Sequence, residues 1–528
     1  MQAGLGETGV PIIGSGPTHV AVDNLAARLH QVTTNVVEQA NVGKQPDDPS
    51  RFRRCFVVRA YRLNHEIIAL KTLLRDGPNA TGKAAVNKGW KGGSKWKPHL
   101  SIAAWFVVLV GNGKHMATTL HADDKPALFE LRAKLAADSR LDTIRARVTG
   151  RIQSGYNGPN IKDGDLEEIF AKILAIADIL CTTPAASENV KEFRRWRDEK
   201  ARGVVLDEAA CMHRHDALQV WGNTMMTLII GGDHKQLRPI VLTGREQDAA
   251  KNFLHHLVHD GKISFMEFLQ GIGFPVHRLQ VQLRMGHGLF DMMATVIYPE
   301  VGLKYGERCD ITTPAFEVGR ALEAFIQETY PAVRPPPGNW KLSPVFLHNS
   351  GIVHTDKVTG SKRAPDQVTA ALAFIEAFTS TKKVDPKRIF ILSPYAGNLP
   401  LIQRMLKKNP KYSSSLNSLP EPMTVDSFQG QEHDIVVVIM GTNSKTGPGF
   451  TADPHRMNVM LTRHKCGLVV VGDIEAINPQ KGKGKGKGKV DPNKMQTETV
   501  TGEVAYINVS AVRSIYGHFK DTGRVIGL

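Results

Sequence analysis

Cysteine is scarce in this chain. The five residues present (Cys55, Cys181, Cys211, Cys309 and Cys466) lie far apart and form no CxxC pair. That excludes a disulfide framework and a zinc ribbon, and it fits a reducing compartment. Long apolar runs are lacking as well. The longest, 102–110, falls far short of the roughly 18 residues a membrane span needs. No basic stretch leads into an apolar core at the N-terminus, so a secretory signal is not expected. A soluble protein of the nucleus or cytoplasm is the expectation. Acidic residues are outnumbered, 51 against 67 Lys plus Arg, which leaves a net charge of +16. Such an excess favours a polyanionic partner, most simply nucleic acid, although part of it sits in a single lysine run. With 528 residues, 41% of them hydrophobic, the chain can bury two or three cores and is not disordered as a whole.

What is present is organised around residues 203–239. Val204-Val205-Leu206 ends abruptly in Asp207-Glu208, and Leu228-Ile229-Ile230 ends in Gly231-Gly232-Asp233-His234-Lys235-Gln236. Short β-branched runs with a polar break at the C-terminal end suit buried strands of a parallel sheet. Ligands of open α/β sheets bind at that edge. Two adjacent carboxylates there fit a division of labour: Asp207 to hold Mg²⁺ on nucleotide phosphates, Glu208 to orient and activate a water. Gln236 is then placed to touch the terminal phosphate. An acidic strand end facing solvent is the alternative for a lone DEAA.

Along the chain, Gly16-Pro17-Thr18-His19 opens a helix after the short strand 10–13, so Thr18 reads either as an N-cap or as a phosphate contact. The region of about 41–154 reads as a basic insertion whose Trp90 and Trp96 lie among lysines, suited to base stacking or to anchoring a solvated loop. An amphipathic helix over 166–177 leads into the strand 179–181 and the hydroxyls Thr182 and Thr183. His255 and His259 share a helical turn but have no third ligand, so they read as surface histidines. A domain boundary is expected at 271/272, and a second α/β unit over 272–480 follows. Its strands end in Ser393-Pro394-Tyr395 and Gly472-Asp473. Residues 481–489 alternate Lys and Gly and read as a mobile cationic tether (481–502). Residues 503–528 are expected to fold back on the second domain.

The segments GPTHVAVDNL, VVLDEAA, GGDHKQLRP, QLRM, SPYAGN, VDSFQGQEHDIVVV and RMNVMLTRHKCGLVVVGD, in that order over about residues 10–475, resemble superfamily 1 helicases. The branch is that of the nonsense-mediated-decay helicase and the replication helicase–nucleases. The resemblance implies an α/β fold of two RecA-like P-loop NTPase domains with parallel sheets, ATP and Mg²⁺ in the cleft between them, and single-stranded RNA or DNA crossing both. By position, Asp207 would hold Mg²⁺ and Glu208 would be the catalytic base. Gln236 would sense the γ-phosphate, Arg284 and Arg463 would be arginine fingers, and Gly430 and Glu432 would contact the nucleotide. Pro17, Thr18, His19, Thr183, Pro394, Tyr395 and Ser427 match positions that hold the strand. Family precedent is 5′ to 3′ movement.

The sequence departs from the family at one principal place. The family sets a phosphate-binding loop, GxxxxGK(S/T), upstream of the GPTHVAVDNL block. Here only 15 residues precede Gly16, and none is lysine. Gly77 to Ala84 comes nearest, lacking the hydroxyl, but it follows the wrong block; the Gly-rich 4–9 and Gly113-Lys114 fail as well. Leu283, Arg238 and Asn398 replace the Tyr, Pro and Gln usual in their blocks. Two accounts stay open: a first domain truncated at its N-terminus, belonging to an active helicase, or a helicase-like protein that binds nucleic acid or serves as a scaffold without hydrolysis. Retention of Asp207, Glu208, Gln236, Arg284 and Arg463 favours the first.

Overall fold

The computed structural model describes residues 10–76, 98–111, 118–152, 161–241, 254–338, 340–356, 358–478, 493–498 and 504–528, with Asp248, Ala250, Asn252 and Asp491 besides. The glycine-rich 4–9, the near-loop 77–84, Trp90, Trp96, Gly113-Lys114 and the Lys/Gly run all lie outside these residues. The chain divides into two compact units, 1–234 with 238–274, and 235–237 with 275–528.

The first unit is built on a five-stranded sheet, all parallel: β1 Ile12–Ser15, β2 Val57–Arg59, β3 Ile179–Cys181, β4 Gly203–Leu206 and β5 Thr227–Ile230, in the order β2-β3-β1-β4-β5. Ile13 pairs with Leu180 on one side and Val204 on the other, which puts the β1 run at the sheet centre. Strands this short and apolar persist because helices cover them. α1 (His19–Ala40), α2 (Leu63–Asp76), α3 (Ile102–Gly111) and α4 (Asp163–Ile176) supply the crossovers that parallel pairing requires. Every residue of α3 is buried, so its continuous apolar run is a core helix. Its N-terminal turn is capped by the Glu66 carboxylate, which accepts from Ala103 N at 2.7 Å and Tyr61 N at 2.8 Å.

This corrects one expectation. The stretch of about 41–154 is not simply an insertion: its described residues contribute β2 to the sheet and α3 to the core, where Trp105 Nε1 donates to Val57 O at 3.1 Å. A three-residue strand, Val-Val-Arg, followed by Ala-Tyr-Arg carries too little periodicity to be read as one.

The second unit holds a six-stranded parallel sheet: β6 Val345–His348, β7 Ile389–Ser393, β8 Met423–Thr424, β9 His433–Ile439, β10 His464–Gly472 and β11 Val525–Gly527, in the order β8-β7-β9-β10-β6-β11. β9 and β10 are buried on both faces over Ile435–Ile439 and Cys466–Gly472, as continuous Val/Ile runs of a helix-covered parallel sheet require. α5 (Pro365–Lys382), α6 (Pro454–Leu461) and α7 (Ser510–Asp521) pack around it. The C-terminal segment joins this sheet through β11. The buried Arg524 there makes a bidentate pair with Glu323, both contacts 2.8 Å.

No helix among the described residues is long and apolar enough to cross a membrane.

Candidate nucleotide and strand sites

In the first unit, β4 delivers the acid pair to the carboxyl edge of the sheet. Asp207 Oδ1 accepts from Glu208 N at 2.9 Å, and Glu208 adopts a left-handed backbone, φ +53°. That conformation is uncommon for a residue with a side chain, and it ends the strand in a sharp turn. The turn is clasped to β5: Gly231 N donates to Leu206 O at 2.7 Å, and Ala209 N donates to Gly231 O at 3.0 Å. Gly232 is required here, since a Cβ would lie 3.0–3.1 Å from Ala210 N, Ala209 N and Met266 Sδ. Burial pushes the Asp207 carboxyl above its ordinary range, against the opposing Glu208 amide. A half-buried carboxylate short of compensating positive charge fits a divalent cation, whose charge would restore ionisation. A Cβ at Gly231 would stand 3.6 Å from Asp207 Oδ1, so glycine keeps that side of the carboxylate open.

The adjoining strand ends carry the expected strand contacts. Thr18 is the N-cap of α1, its Oγ1 accepting from Ala21 N at 3.1 Å, so the capping role read from sequence is occupied. Pro17 is half-buried beside it, and Thr183, the N-cap position of 184–189, makes no side-chain cap. His19 rests on a buried cluster that sequence reasoning missed. Arg59, at the end of β2, donates from Nε to Asp23 Oδ1 at 2.7 Å and from Nη1 to Ala60 O at 2.8 Å. Its Nη2 lies 3.0 Å from His19 Nδ1. Tyr61 donates its hydroxyl to Asp23 Oδ1 at 2.9 Å, and its ring lies 4.0 Å below the guanidinium. Arg59 and Asp23 are 1% and 3% exposed; leaving either without the other costs about 3–5 kcal/mol. The available signal was an arginine ending an apolar strand, but its partner lies 36 positions away on a helix.

In the second unit, Gln236 belongs with Arg463. Arg463 is buried, donating from Nε to Val459 O at 3.0 Å and from Nη2 to Gln236 Oε1 at 3.0 Å. Residues 235–237 are held further by Asn458 Nδ2 to Lys235 O, 2.9 Å, and by a 2.9 Å contact of His455 Nδ1 with Gln236 O. Arg284 lies in the same neighbourhood, with Nη1 on Thr462 O at 2.9 Å and Nε on Glu432 Oε2 at 2.6 Å. Lys465 takes the other oxygen of Glu432 at 3.1 Å. Burial works to raise the Glu432 carboxyl, but the Arg284 guanidinium and Lys465 outweigh it and hold it below the ordinary range. Gly430, with φ +75°, makes the turn leading to that carboxylate. Thus Gln236, Arg284, Glu432 and Arg463 form one neighbourhood.

Of the strand residues in this unit, Ser427 is exposed and its Oγ accepts from Thr424 Oγ1 at 2.9 Å, while Pro394 is half-buried. Tyr395 departs from the expectation. It is 2% exposed, its hydroxyl accepts from Phe450 N at 3.1 Å, and Lys362 Nζ stands 5.3 Å from its ring. A ring packed this way supports the β7 turn and is not presented for stacking. Asn398 is also structural: Oδ1 accepts from Ala364 N at 2.9 Å and Nδ2 donates to Ser393 Oγ at 3.0 Å. Lys362, the other residue missed, donates to Thr446 O and Gly447 O at 3.2 Å each, and burial pulls its ammonium down to about 8. Neither its buried setting nor those carbonyls could be read from Ser361-Lys362-Arg363.

A family model described as an AAA domain matches residues 262–475. The ATP-dependent helicase NAM7 of Saccharomyces cerevisiae is 27% identical over 57% of this chain and 28% of its own length. Regulator of nonsense transcripts 1 of Dictyostelium discoideum is 26% identical over 66% of this chain and 24% of its own. Helicase SEN1 of S. cerevisiae is 27% identical over 64% of this chain and 14% of its own. The matched region therefore spans under a third of each relative. By these matches, together with two parallel α/β units whose strand ends carry the motif residues, the chain is similar to superfamily 1 helicases of the nonsense-mediated-decay branch.

Proposed function

We propose that the chain is motor sequence of an ATP-dependent helicase or translocase acting on single-stranded RNA or DNA. The observation that carries this reading is the pairing of chemistries at strand ends. A desolvated Asp207 with the adjacent Glu208 closes β4 in the first unit, and in the second unit the Arg463–Gln236 pair lies beside Arg284 and Glu432. Phosphoryl transfer has a loose transition state, so catalysis consists mainly of positioning and of neutralising charge. Asp207 would hold Mg²⁺, which supplies charge neutralisation on the nucleotide phosphates. Glu208 is suited to orient the attacking water and take its proton, and the planar Arg284 and Arg463 guanidinium groups to meet charge on the phosphoryl oxygens. Thr18, His19, Thr183 and Ser427 are polar groups near carboxyl ends of strands, suited to phosphate and sugar with little sequence preference.

A second reading, strand binding without hydrolysis, rests on the net charge of +16, which favours a polyanionic partner whether or not ATP is turned over. The deciding experiment measures ATP turnover by the chain with and without single-stranded RNA and DNA, beside Glu208→Gln. Turnover stimulated by the strand and abolished in Glu208→Gln supports the motor. Salt-sensitive strand binding with turnover equal to that of Glu208→Gln supports the second reading.

A further inference from the structure

We propose that Arg59 is a positioning residue that fixes His19 in the Nε2–H tautomer, making it a neutral hydrogen-bond donor to a phosphate oxygen of the bound single strand. The proposal rests on the strand-binding part of the function proposed above and adds the chemical form in which His19 acts.

A guanidinium carries five N–H donors and no acceptor. With Arg59 Nη2 3.0 Å from His19 Nδ1, the imidazole nitrogen must present its lone pair. A neutral imidazole has one protonated nitrogen, so the proton resides on Nε2. Protonating Nδ1 would set two N–H groups against each other and break the contact. Arg59 cannot turn away to permit this, because it is 1% exposed and anchored to Asp23, to Ala60 O and over the Tyr61 ring. The imidazole is also stacked on Tyr61, with centroids 5.9 Å apart and planes 17° from parallel.

The surrounding charges act in the same direction. Arg59 faces the ring from β2, and Arg62 and His65 from the residues after it; Asp23 faces it from α1. Of these, only Asp23 favours an imidazolium, and its Oδ1 is already engaged by Arg59 and Tyr61. Burial and Arg59 hold the His19 pKa below its ordinary value. In a chain of net charge +16, His19 is thus a contact that releases no counterion. Its share of affinity is indifferent to salt, unlike that of a lysine or arginine.

The test begins with the wild-type chain labelled with ¹⁵N-histidine, the His19 ring resonances being identified by their absence in His19→Gln. From about pH 6 to about pH 8, where an ordinary histidine titrates, Nδ1 is expected to stay unprotonated and Nε2 protonated. A ring that titrates near its ordinary value, or carries the proton on Nδ1, overturns the assignment. Binding of a fluorescent single-stranded oligonucleotide is then followed against salt and pH. His19→Gln, whose amide nitrogen replaces Nε2–H, is expected to bind within about twofold of wild type, and His19→Leu about tenfold more weakly. Both should leave the salt slope unchanged; a slope shallower by about 0.7 in His19→Leu marks a cation and overturns the proposal.

The paired variant Arg59→Leu with Asp23→Leu leaves no lone buried charge. It is expected to free His19 to titrate and to give binding that strengthens as pH falls; unchanged titration in a folded pair assigns no role to Arg59 and overturns the proposal. A wild-type chain with the stated tautomer that binds no strand overturns the phosphate role and the strand reading together, while the tautomer stands.

Discussion

Arg463 Nη2 donates to Gln236 Oε1 at 3.0 Å, so two side chains expected at the terminal phosphate of ATP are bonded to each other. Gln236 satisfies part of a buried guanidinium, and the guanidinium sets the rotamer of the amide. They should therefore act as a unit. Arg463→Ala is expected to lower strand-stimulated ATP turnover by roughly 10³-fold, in the range of arginine-finger losses. Gln236→Ala should lower it less, and the double variant should be no worse than Arg463→Ala. Steady-state kinetics on the four proteins provides the check; additive losses would mean that the two side chains work separately.

Glu432 is shared by Arg284 at 2.6 Å and Lys465 at 3.1 Å. Glu432→Gln keeps the shape and removes the charge that orients Arg284. A charge-assisted hydrogen bond is at stake, so KM for ATP is expected to rise about tenfold or more. Because the folded state holds this carboxyl below its ordinary value, its contribution to stability is present above the ordinary carboxylate range and is lost as pH falls. Denaturant unfolding of the two proteins should therefore converge in acid.

Glu66 supplies the opposite sign. It is 2% exposed, reaching from α2 to the first turn of α3, and burial pushes its carboxyl up to about 8 despite the opposing amides of Tyr61 and Ala103. The folded state binds this proton more tightly than the unfolded one. The stabilisation is complete below about 4.5 and is lost as pH rises towards about 8, at up to ~1.4 kcal/mol per pH unit. Glu66→Gln should flatten that part of the pH–stability curve, as urea midpoints measured across it would show.

Residues 481–489 carry five lysines in strict alternation with glycine. Deleting them should weaken strand binding at low salt and make log Kd against log salt shallower, by up to about 3.5 if every lysine meets a phosphate. Fluorescence anisotropy at four salt concentrations measures this; an unchanged slope would assign the run no part in binding.

The sequence made the two sheets legible where strands were long and uniformly apolar. The strands that end in Ser393 and Gly472 are legible because a strand buried on both faces must be a continuous apolar run. Asp207 and Glu208 stand out for the same reason, as a polar break at the end of such a run. Val57–Arg59 is invisible by this criterion: three residues give no period, and pairing with β3 over 120 positions away decides their state. The site residues divide similarly. His19 and Tyr395 occupy motif positions, but which way each ring faces depends on Arg59, Asp23 and Phe450, contacts that are distant in the chain and have no local signature.

The left-handed backbone of Glu208 has a consequence for heat resistance. Holding a side-chain-bearing residue there costs on the order of 1 kcal/mol, and glycine adopts the same dihedral freely. Glu208→Gly should therefore cost less stability than an ordinary substitution by glycine, while turning over no ATP. A chain that keeps its melting temperature after losing this carboxylate would mark this turn as one where selection kept reach over robustness.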